Sequence, residues 1–249
     1  MQRAHYRTLA HHDRRYWWFA TRHDLVIRWL RLGRTFSGLL LDVGCGAGGF
    51  LRRCLDDGVP DSTVLGMDID EQSVAVAMDR GVPAMRMPDS GRNAVPRAAD
   101  LPQQPDAITM LDVLEHLDDP VAMLRALHDV ASDQCRLVVL VPAHTWLWSA
   151  WDDRLGHRRR YTKRSLRAQL EASGWTVVRQ RHVFPTMVLP GLLRARMLKA
   201  STLPADEFPR VPRWLNSLLH GWTTTLGRVP CWPVGSTLAV LATRQAQRP

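Results

Sequence analysis

Lysine is almost missing from this chain: of its 33 basic residues, only Lys163 and Lys199 are not arginine. Acids are outnumbered as well, 24 against 33, which leaves a formal net charge of +9 and a pI near 10.4. Such a balance favours anionic partners, whether nucleic acid, a phosphorylated substrate or a membrane surface. A general preference for arginine on solvated surface is the plainer alternative. Cysteine is scarce, with Cys45, Cys54, Cys135 and Cys231 forming no CxxC pair, which excludes a zinc-finger spacing and leads us to expect reduced, mostly buried thiols in a cytoplasmic protein. No apolar run approaches the roughly 18 to 20 residues that span a bilayer. The longest, Val183 to Leu193, is interrupted by Pro185 and Pro190. The opening MQRAHYRTLAHHDRRYWWF lacks the apolar core of a secretory leader, again pointing to the cytoplasm. Repeats and low-complexity tracts are absent too. What remains is ordinary globular composition, 45% apolar and 23% charged, in 249 residues, enough for one large domain with a full core.

Short β-branched runs alternate with helical stripes, which predicts an α/β fold around a mostly parallel sheet. Strands are expected at Gly38 to Val43, Thr63 to Met67, Val82 to Met87, Ala107 to Leu111, Arg136 to Val141, Trp175 to Gln180 and Ser236 to Thr243. Asp70, Asp119 before Pro120, and Thr162 are natural helix N-caps, and Gly81 and Gly174 natural stops. Residues 88–105, rich in Pro, Asp, Gly and Arg, read as a loop. Two regions fall outside the alternation. Residues 1–37 carry Tyr16-Trp17-Trp18-Phe19 and a helical stripe, and read as an N-terminal helical cap. Residues 183–235, punctuated by prolines, carry Trp214, Leu215, Leu218 and Trp222 at helical spacing and read as a substrate-covering insertion. The core is then 38–182, closed by a last strand and tail at 236–249.

The first strand runs into Gly44-Cys45-Gly46-Ala47-Gly48-Gly49, and Gly44, Gly46 and Gly49 satisfy GxGxxG. Glycines let the backbone approach a ligand, and the following helix N-terminus offers free N–H groups. The motif alone serves several nucleotide cofactors. Its neighbours discriminate: a pyrophosphate would be repelled by Asp42, two residues before Gly44, whereas a ligand with an amino group and a sulfonium would be attracted. Asp68, at the end of the second strand, can accept both hydroxyls of an adenosine ribose and disfavours a 2′-phosphate.

In LDVGCGAGGF (Leu41 to Phe50), GMDID (Gly66 to Asp70) and DAITMLDVLEHLDDP (Asp106 to Pro120), the chain resembles the class I S-adenosylmethionine-dependent methyltransferases. The resemblance implies a Rossmann-like seven-stranded sheet, helices on both faces, with its last strand antiparallel. It also implies that the donor, S-adenosylmethionine, is held by Asp42, Gly44, Cys45, Gly46, Gly48, Asp68, Ile69, Leu111 and Asp112. Asp89 is expected to meet the adenine amino group, with Asp100 as second choice.

Asp112-Val-Leu-Glu115-His116 follows the fourth strand, and Gly156-His157-Arg158-Arg159-Arg160-Tyr161-Thr162 leads into a later helix. This pairing resembles ubiquinone-biosynthesis O-methyltransferases and small-RNA 3′-end 2′-O-methyltransferases. There the corresponding set, here Asp112, Glu115, His116 and His157, holds a divalent cation (Mg or Mn) over the acceptor oxygen. The first acid is Asp rather than Glu, so its reach is shorter. Glu115, His116 and His157 are accordingly the catalytic candidates, with a metal as an optional addition. In the plainer reading, Glu115 and His116 only cap and orient a helix start. The run Arg158, Arg159, Arg160, Lys163, Arg164 suggests an anion-binding role, since cations oppose the macrodipole at a helix start. His144 is expected near the cofactor edge, and Trp146, Trp148 and Trp151 in a pocket wall, in the core or on stacked bases. The histidines His5, His11, His12 and His23 read as surface residues.

These observations favour methyl transfer to an oxygen of a small or lipid-like acceptor, with a phosphorylated version fitting the cationic run. Two other readings stay open: an RNA methyltransferase with a metal-assisted site, and a cofactor-binding regulatory protein without turnover. The amphipathic 183–235 segment fits either a lid or peripheral contact with a membrane.

Overall fold

The computed structural model describes residues 16–33, 36–87, 95–197, 211–226 and 232–244. Seven strands form one sheet: β1 (Leu39–Val43), β2 (Val64–Asp68), β3 (Ala84–Arg86), β4 (Pro105–Leu111), β5 (Arg136–Pro142), β6 (Trp175–Val183) and β7 (Thr237–Arg244). Their order is β3-β2-β1-β4-β5-β7-β6. All pairings from β3 to β5 are parallel, and β7 is antiparallel to both β5 and β6. The order reverses beside β1, so the C-terminal ends of β1 and β4 open a crevice at the switch point.

Eight α-helices are described: α1 (Trp17–Leu30), α2 (Gly49–Asp56), α3 (Glu71–Asp79), α4 (Pro120–Val130), α5 (Ala150–Leu155), α6 (Lys163–Ala172), α7 (Val188–Met197) and α8 (Arg213–Leu226). The expected caps form. Asp70 accepts from Ser73 N, Asp119 from Ala122 N ahead of Pro120, and Thr162 from Ser165 N. Each satisfies a backbone donor that a helix start leaves open.

Alternation along the strands sends side chains to two cores. Leu41, Val43, Ile108, Met110, Leu137, Val139 and Val141 pack with Leu124 and Leu127 of α4 and Leu166 and Leu170 of α6. Leu40, Val138 and Leu140 face the other way, against Leu25, Val26, Trp29 and Leu30 of α1 and Phe50 and Leu51 of α2. With both faces covered, β5 is a continuous apolar run, as a central strand must be. Each buried Leu or Val contributes about 1.5–3 kcal/mol.

Three departures from the sequence reading have plain causes. Residues 17–30, read as a cap, form one layer of the core, because the helical stripe of α1 packs on the sheet against Leu40, Val138 and Leu140. The sixth strand runs three residues past Gln180, to Val183, because residues 180–183 pair with β7 down to Thr237; the core thus extends one residue into the expected insertion. The stretch after β5 holds a 3-10 turn (Thr145–Leu147) and α5, neither of which was expected. The Ser149 and Asp152 capping box was a legible signal for α5.

Candidate active site

At the crevice lies a cavity of about 660 Å³, walled by the glycine loop, the ends of β1, β2 and β4, the start of α1 and residues 142–160. The glycine loop is shaped by hydrogen bonds of its own. Gly44 N and Cys45 N donate to Met67 O at 2.7 and 3.1 Å, and Gly46 N donates to Asp68 Oδ2 at 2.8 Å. Gly44 and Gly46 have φ of 75° and 53°, in the left-handed region where a side chain is costly. A Cβ on Gly44 would also collide with Val113. Asp68 Oδ1 takes Asp70 N at 2.9 Å, so this carboxylate pins the loop and the start of α3 together.

Asp42 is buried at the end of β1 and accepts a 2.6 Å hydrogen bond from Thr109 Oγ1. Desolvation pushes its pKa up to about 7, with Thr109 opposing the shift and Asp68 adding to it. A buried carboxyl titrating there is poised to meet a cation, which would hold it ionised.

Asp112, at the end of β4, has a left-handed backbone (φ 59°), a conformation that Asp tolerates better than most residues. Its Oδ2 lies 2.5 Å from Arg22 Nη1 of α1. Arg22 is itself buried, and its Nη2 has no hydrogen-bond partner among the described residues.

Across the cavity, Glu115, His116 and His157 bring one ligand atom each within 4.8 Å of one another. Glu115 is completely buried and neither carboxylate oxygen has a hydrogen-bond partner among the described residues. Desolvation, with Asp112 nearby, raises its pKa well above the ordinary range. His116 Nδ1 lies 3.4 Å from Gly156 O. A carbonyl can only accept, so Nδ1 carries the hydrogen and Nε2 the lone pair. Burial and the neighbouring His157 lower the His116 pKa to about 4, leaving it neutral at pH 7. His157 Nδ1 meets Asp152 Oδ1 at 2.9 Å. Asp152 is clamped in turn by Arg160, whose Nε and Nη2 donate to its two oxygens at 2.7 and 3.0 Å. Against the pull of burial, these hydrogen bonds hold the Asp152 pKa down to about 2.

Glu115 and His116 meet His157 because the 156–161 segment is tied to the ends of β4 and β5. Arg158 N donates to Glu115 O at 2.8 Å, Tyr161 OH to Leu114 O at 3.2 Å, and Tyr161 N to Pro142 O at 2.9 Å.

Of the donor-contact positions expected from the sequence, Asp42, Gly44, Cys45, Gly46, Asp68, Ile69, Leu111 and Asp112 line the cavity. Gly48 is not on the wall; a Cβ there would crowd Ala77 of α3 and Val82 just beyond it. Asp89 lies outside the described residues. The alternative, Asp100, accepts Arg97 N in a short 3-10 turn away from the cavity. The four-residue ligand set is reduced to three, since Asp112 is drawn to Arg22 instead. Three of the five cations in the run are already engaged, while Lys163 and Arg164 are exposed. Arg158 pairs with Asp118 at 2.7 Å, Arg159 donates to Leu117 O and Asp118 O, and Arg160 holds Asp152. His144 is off the cavity wall, in contact with the tilted rings of Trp146 and His182, whose centroids are 4.9 and 4.6 Å away. Trp151 is on the wall, whereas Trp146 is half exposed. His23 is buried on the wall rather than at the surface, and burial with Arg22 and Arg53 nearby lowers its pKa to about 3; His5, His11 and His12 lie outside the described residues.

Sequence reasoning missed Arg22 and Asp152. Arg22 follows the Tyr-Trp-Trp-Phe cluster by three residues, on a helix read only as a cap. Asp152 precedes His157 by five, within the overlooked α5.

A family model described as a methyltransferase domain matches residues 10–180. Curated relatives include ubiquinone biosynthesis O-methyltransferases of Pseudomonas syringae pv. tomato, 33% identical over 138 residues (50% of this chain and 55% of that protein), and of Pseudomonas putida, 34% identical over 136 residues (49% and 54%). The chain spans about half the length of the curated relatives it matches. Solved structures with the same fold include an S-adenosylmethionine-dependent methyltransferase from Archaeoglobus fulgidus (TM-score 0.55, 17% identity, 89% of this chain and 92% of that one). Another is magnesium protoporphyrin IX methyltransferase from Synechocystis with bound S-adenosylhomocysteine (TM-score 0.53, 18% identity, 90% and 83%). With the domain match running over more than half its length, the chain belongs to the class I S-adenosylmethionine-dependent methyltransferases.

Proposed function

We propose that this methyltransferase alkylates an oxygen of a small, amphiphilic acceptor, and that Glu115, His116 and His157 form the acceptor-side site. The observation that carries this reading is the meeting of that trio with the glycine loop in one cavity, beside apolar walls from Trp17, Trp18, Leu147 and Met187. The relatives that act in ubiquinone biosynthesis are O-methyltransferases, which agrees with it.

On this reading the donor's ribose hydroxyls go to Asp68 and its cationic amino group to Asp42. The carboxylate end goes to Arg22. Of the two arginines on the wall among the described residues, Arg160 already spends its donors on Asp152 and Ala143 O, while Arg22 Nη2 has no partner among them. Alignment of donor and acceptor is the chief contribution, worth about 7–11 kcal/mol in favourable cases.

A hydroxyl acceptor must also lose its proton. The residues fit the divalent cation that the resemblance implies: two orphaned, buried Glu115 oxygens and the imidazoles of His116 and His157 are the donors such an ion takes. Glu115, His116 and His157 would hold it, and when bound it would lower the pKa of the acceptor hydroxyl. Asp152 fixes the His157 tautomer by accepting from Nδ1, which reserves Nε2 for the cavity.

The test is calorimetry of the full chain with S-adenosylhomocysteine, followed by turnover of labelled donor on panels of hydroxylated aromatics, lipid-like alcohols and RNA oligomers. Binding with methylation of an alcohol or phenol is the expected result. Donor binding with methylation only of RNA would replace the small acceptor by nucleic acid.

A further inference from the structure

Helix α8 is built inside out. Its polar residues face the protein: Asn216 Oδ1 accepts from Trp17 N at 2.8 Å, His220 Nε2 meets Asp24 Oδ2 at 2.9 Å, and Thr223 Oγ1 meets Thr21 Oγ1 at 2.7 Å. Three of its large apolar residues face water instead, while Leu219 packs toward the core. Trp214, Leu218 and Trp222, spaced by four, are 69%, 61% and 56% exposed. The other exposed positions past the first turn, Ser217, Gly221 and Thr225, carry no charge. A water-facing helix normally has the opposite polarity. On α7, Leu189 and Leu193 are likewise at least half exposed, and Met187, Pro190 and Gly191 of the same stretch line the cavity. Trp17 joins the two helices, bonding Asn216 of α8 and packing edge-on to Phe184, just before α7.

We propose that this face seats the protein on an anionic lipid surface. Tryptophan and leucine with arginines beside them are the chemistry of an interfacial helix, and Arg196 and Arg213 are exposed at the ends of α7 and α8. Residues 183–235 hold six Arg or Lys against two acids, within a chain of net charge +9. Each cation near an anionic bilayer adds attraction that salt weakens. No helix among the described residues is long and apolar enough to cross a membrane, so the contact is peripheral. A second copy fits less well: a 14-residue helix presents a face about 21 Å long and about 10 Å wide, far short of the roughly 800 Å² per partner of a stable interface. The seat does not depend on the methyl-acceptor reading, although it puts the cavity wall of α7 beside the lipid.

The experiment is sedimentation of the full-length protein with phosphatidylcholine vesicles with and without phosphatidylglycerol, read with tryptophan fluorescence. Binding to the phosphatidylglycerol vesicles, a blue shift and weakening by salt are expected. The triple variant Trp214→Ala, Leu218→Ala, Trp222→Ala should bind at least about tenfold less, a difference of about 1.4 kcal/mol, with its melting temperature and donor binding unchanged. Leu218→Asp alone, whose exposed side chain leaves folding untouched, should also weaken binding. Absence of vesicle binding, or equal binding by both variants, overturns the proposal. So does concentration-dependent dimerisation that the triple variant abolishes while vesicles remain unbound.

Discussion

His157 and Asp152 meet at 2.9 Å across the turn that ends α5, and Arg160 grips the same carboxylate from the far side. The aspartate is thereby ionised at any working pH, and its lowered pKa sets the sign of its effect on stability. The stabilisation it brings is present above the ordinary Asp range and is lost as pH falls toward about 2.

Asp152→Asn should therefore act twice. Removing one side of a buried pair strands the other charge and costs about 3–5 kcal/mol, visible as a lower melting temperature. Turnover should fall about 10- to 100-fold through the misoriented His157, while S-adenosylhomocysteine affinity stays the same. Normal turnover in a destabilised variant would reduce Asp152 to a structural part.

Glu115→Gln separates stability from chemistry. A carboxyl with a raised pKa favours the protonated fold, so stability contributed here declines as pH rises above the usual Glu value. The amide removes that penalty, and the variant should melt at the same or a higher temperature at neutral pH. Its turnover should drop at least about a hundredfold, as is common when a general base or ligand is lost.

Chelation probes the same trio. After EDTA treatment turnover should fall and return with Mg²⁺ or Mn²⁺. Binding of Mn²⁺ to the protein without substrate, followed by spin resonance, should disappear in His116→Ala. Turnover indifferent to chelation would end the metal-assisted version and leave proton removal to His157 and Asp152.

Donor affinity should rise with pH up to about 7 and then level off, because Asp42 must be ionised to meet a cation and its free-state pKa is about 7. The slope is bounded at about tenfold per pH unit for a single proton. Asp42→Asn should bind weakly at every pH and show a flat profile. A wild-type profile without slope between pH 5 and about 7 would dissociate Asp42 from the ligand's charge.

Arg22→Gln tests the carboxylate end. Losing a charge-assisted hydrogen bond costs about 1.5–3 kcal/mol, so S-adenosylmethionine should bind about 10- to 100-fold more weakly. Decarboxylated S-adenosylmethionine should bind wild type and variant alike. Equal weakening of both ligands would mean that Arg22 acts only by restraining Asp112.

Much of the fold was readable from local pattern. The Leu/Val run of β5, the caps at Asp70, Asp119 and Thr162, and the glycine turn after β1 each follow from neighbours within a few residues. The strand-end acids were readable for the same reason, since strand period and loop length fix where a side chain emerges. Arg22 was not, because a helix stripe records which face is buried but not which cavity that face closes. The engagement of Arg158, Arg159 and Arg160 was not readable, because charge is visible in a sequence and their partners, Asp118, Asp152 and the carbonyls of Leu117 and Asp118, are not adjacent.

By itself the sequence determined the class of fold, the glycine cradle and its flanking carboxylates, since these depend on short-range backbone preference and hydrophobic period. Tertiary structure alone decided which charges remain free and which face of α8 meets water. Ion pairing and burial depend on residues brought together from distant parts of the chain, and one-dimensional order carries no record of that approach.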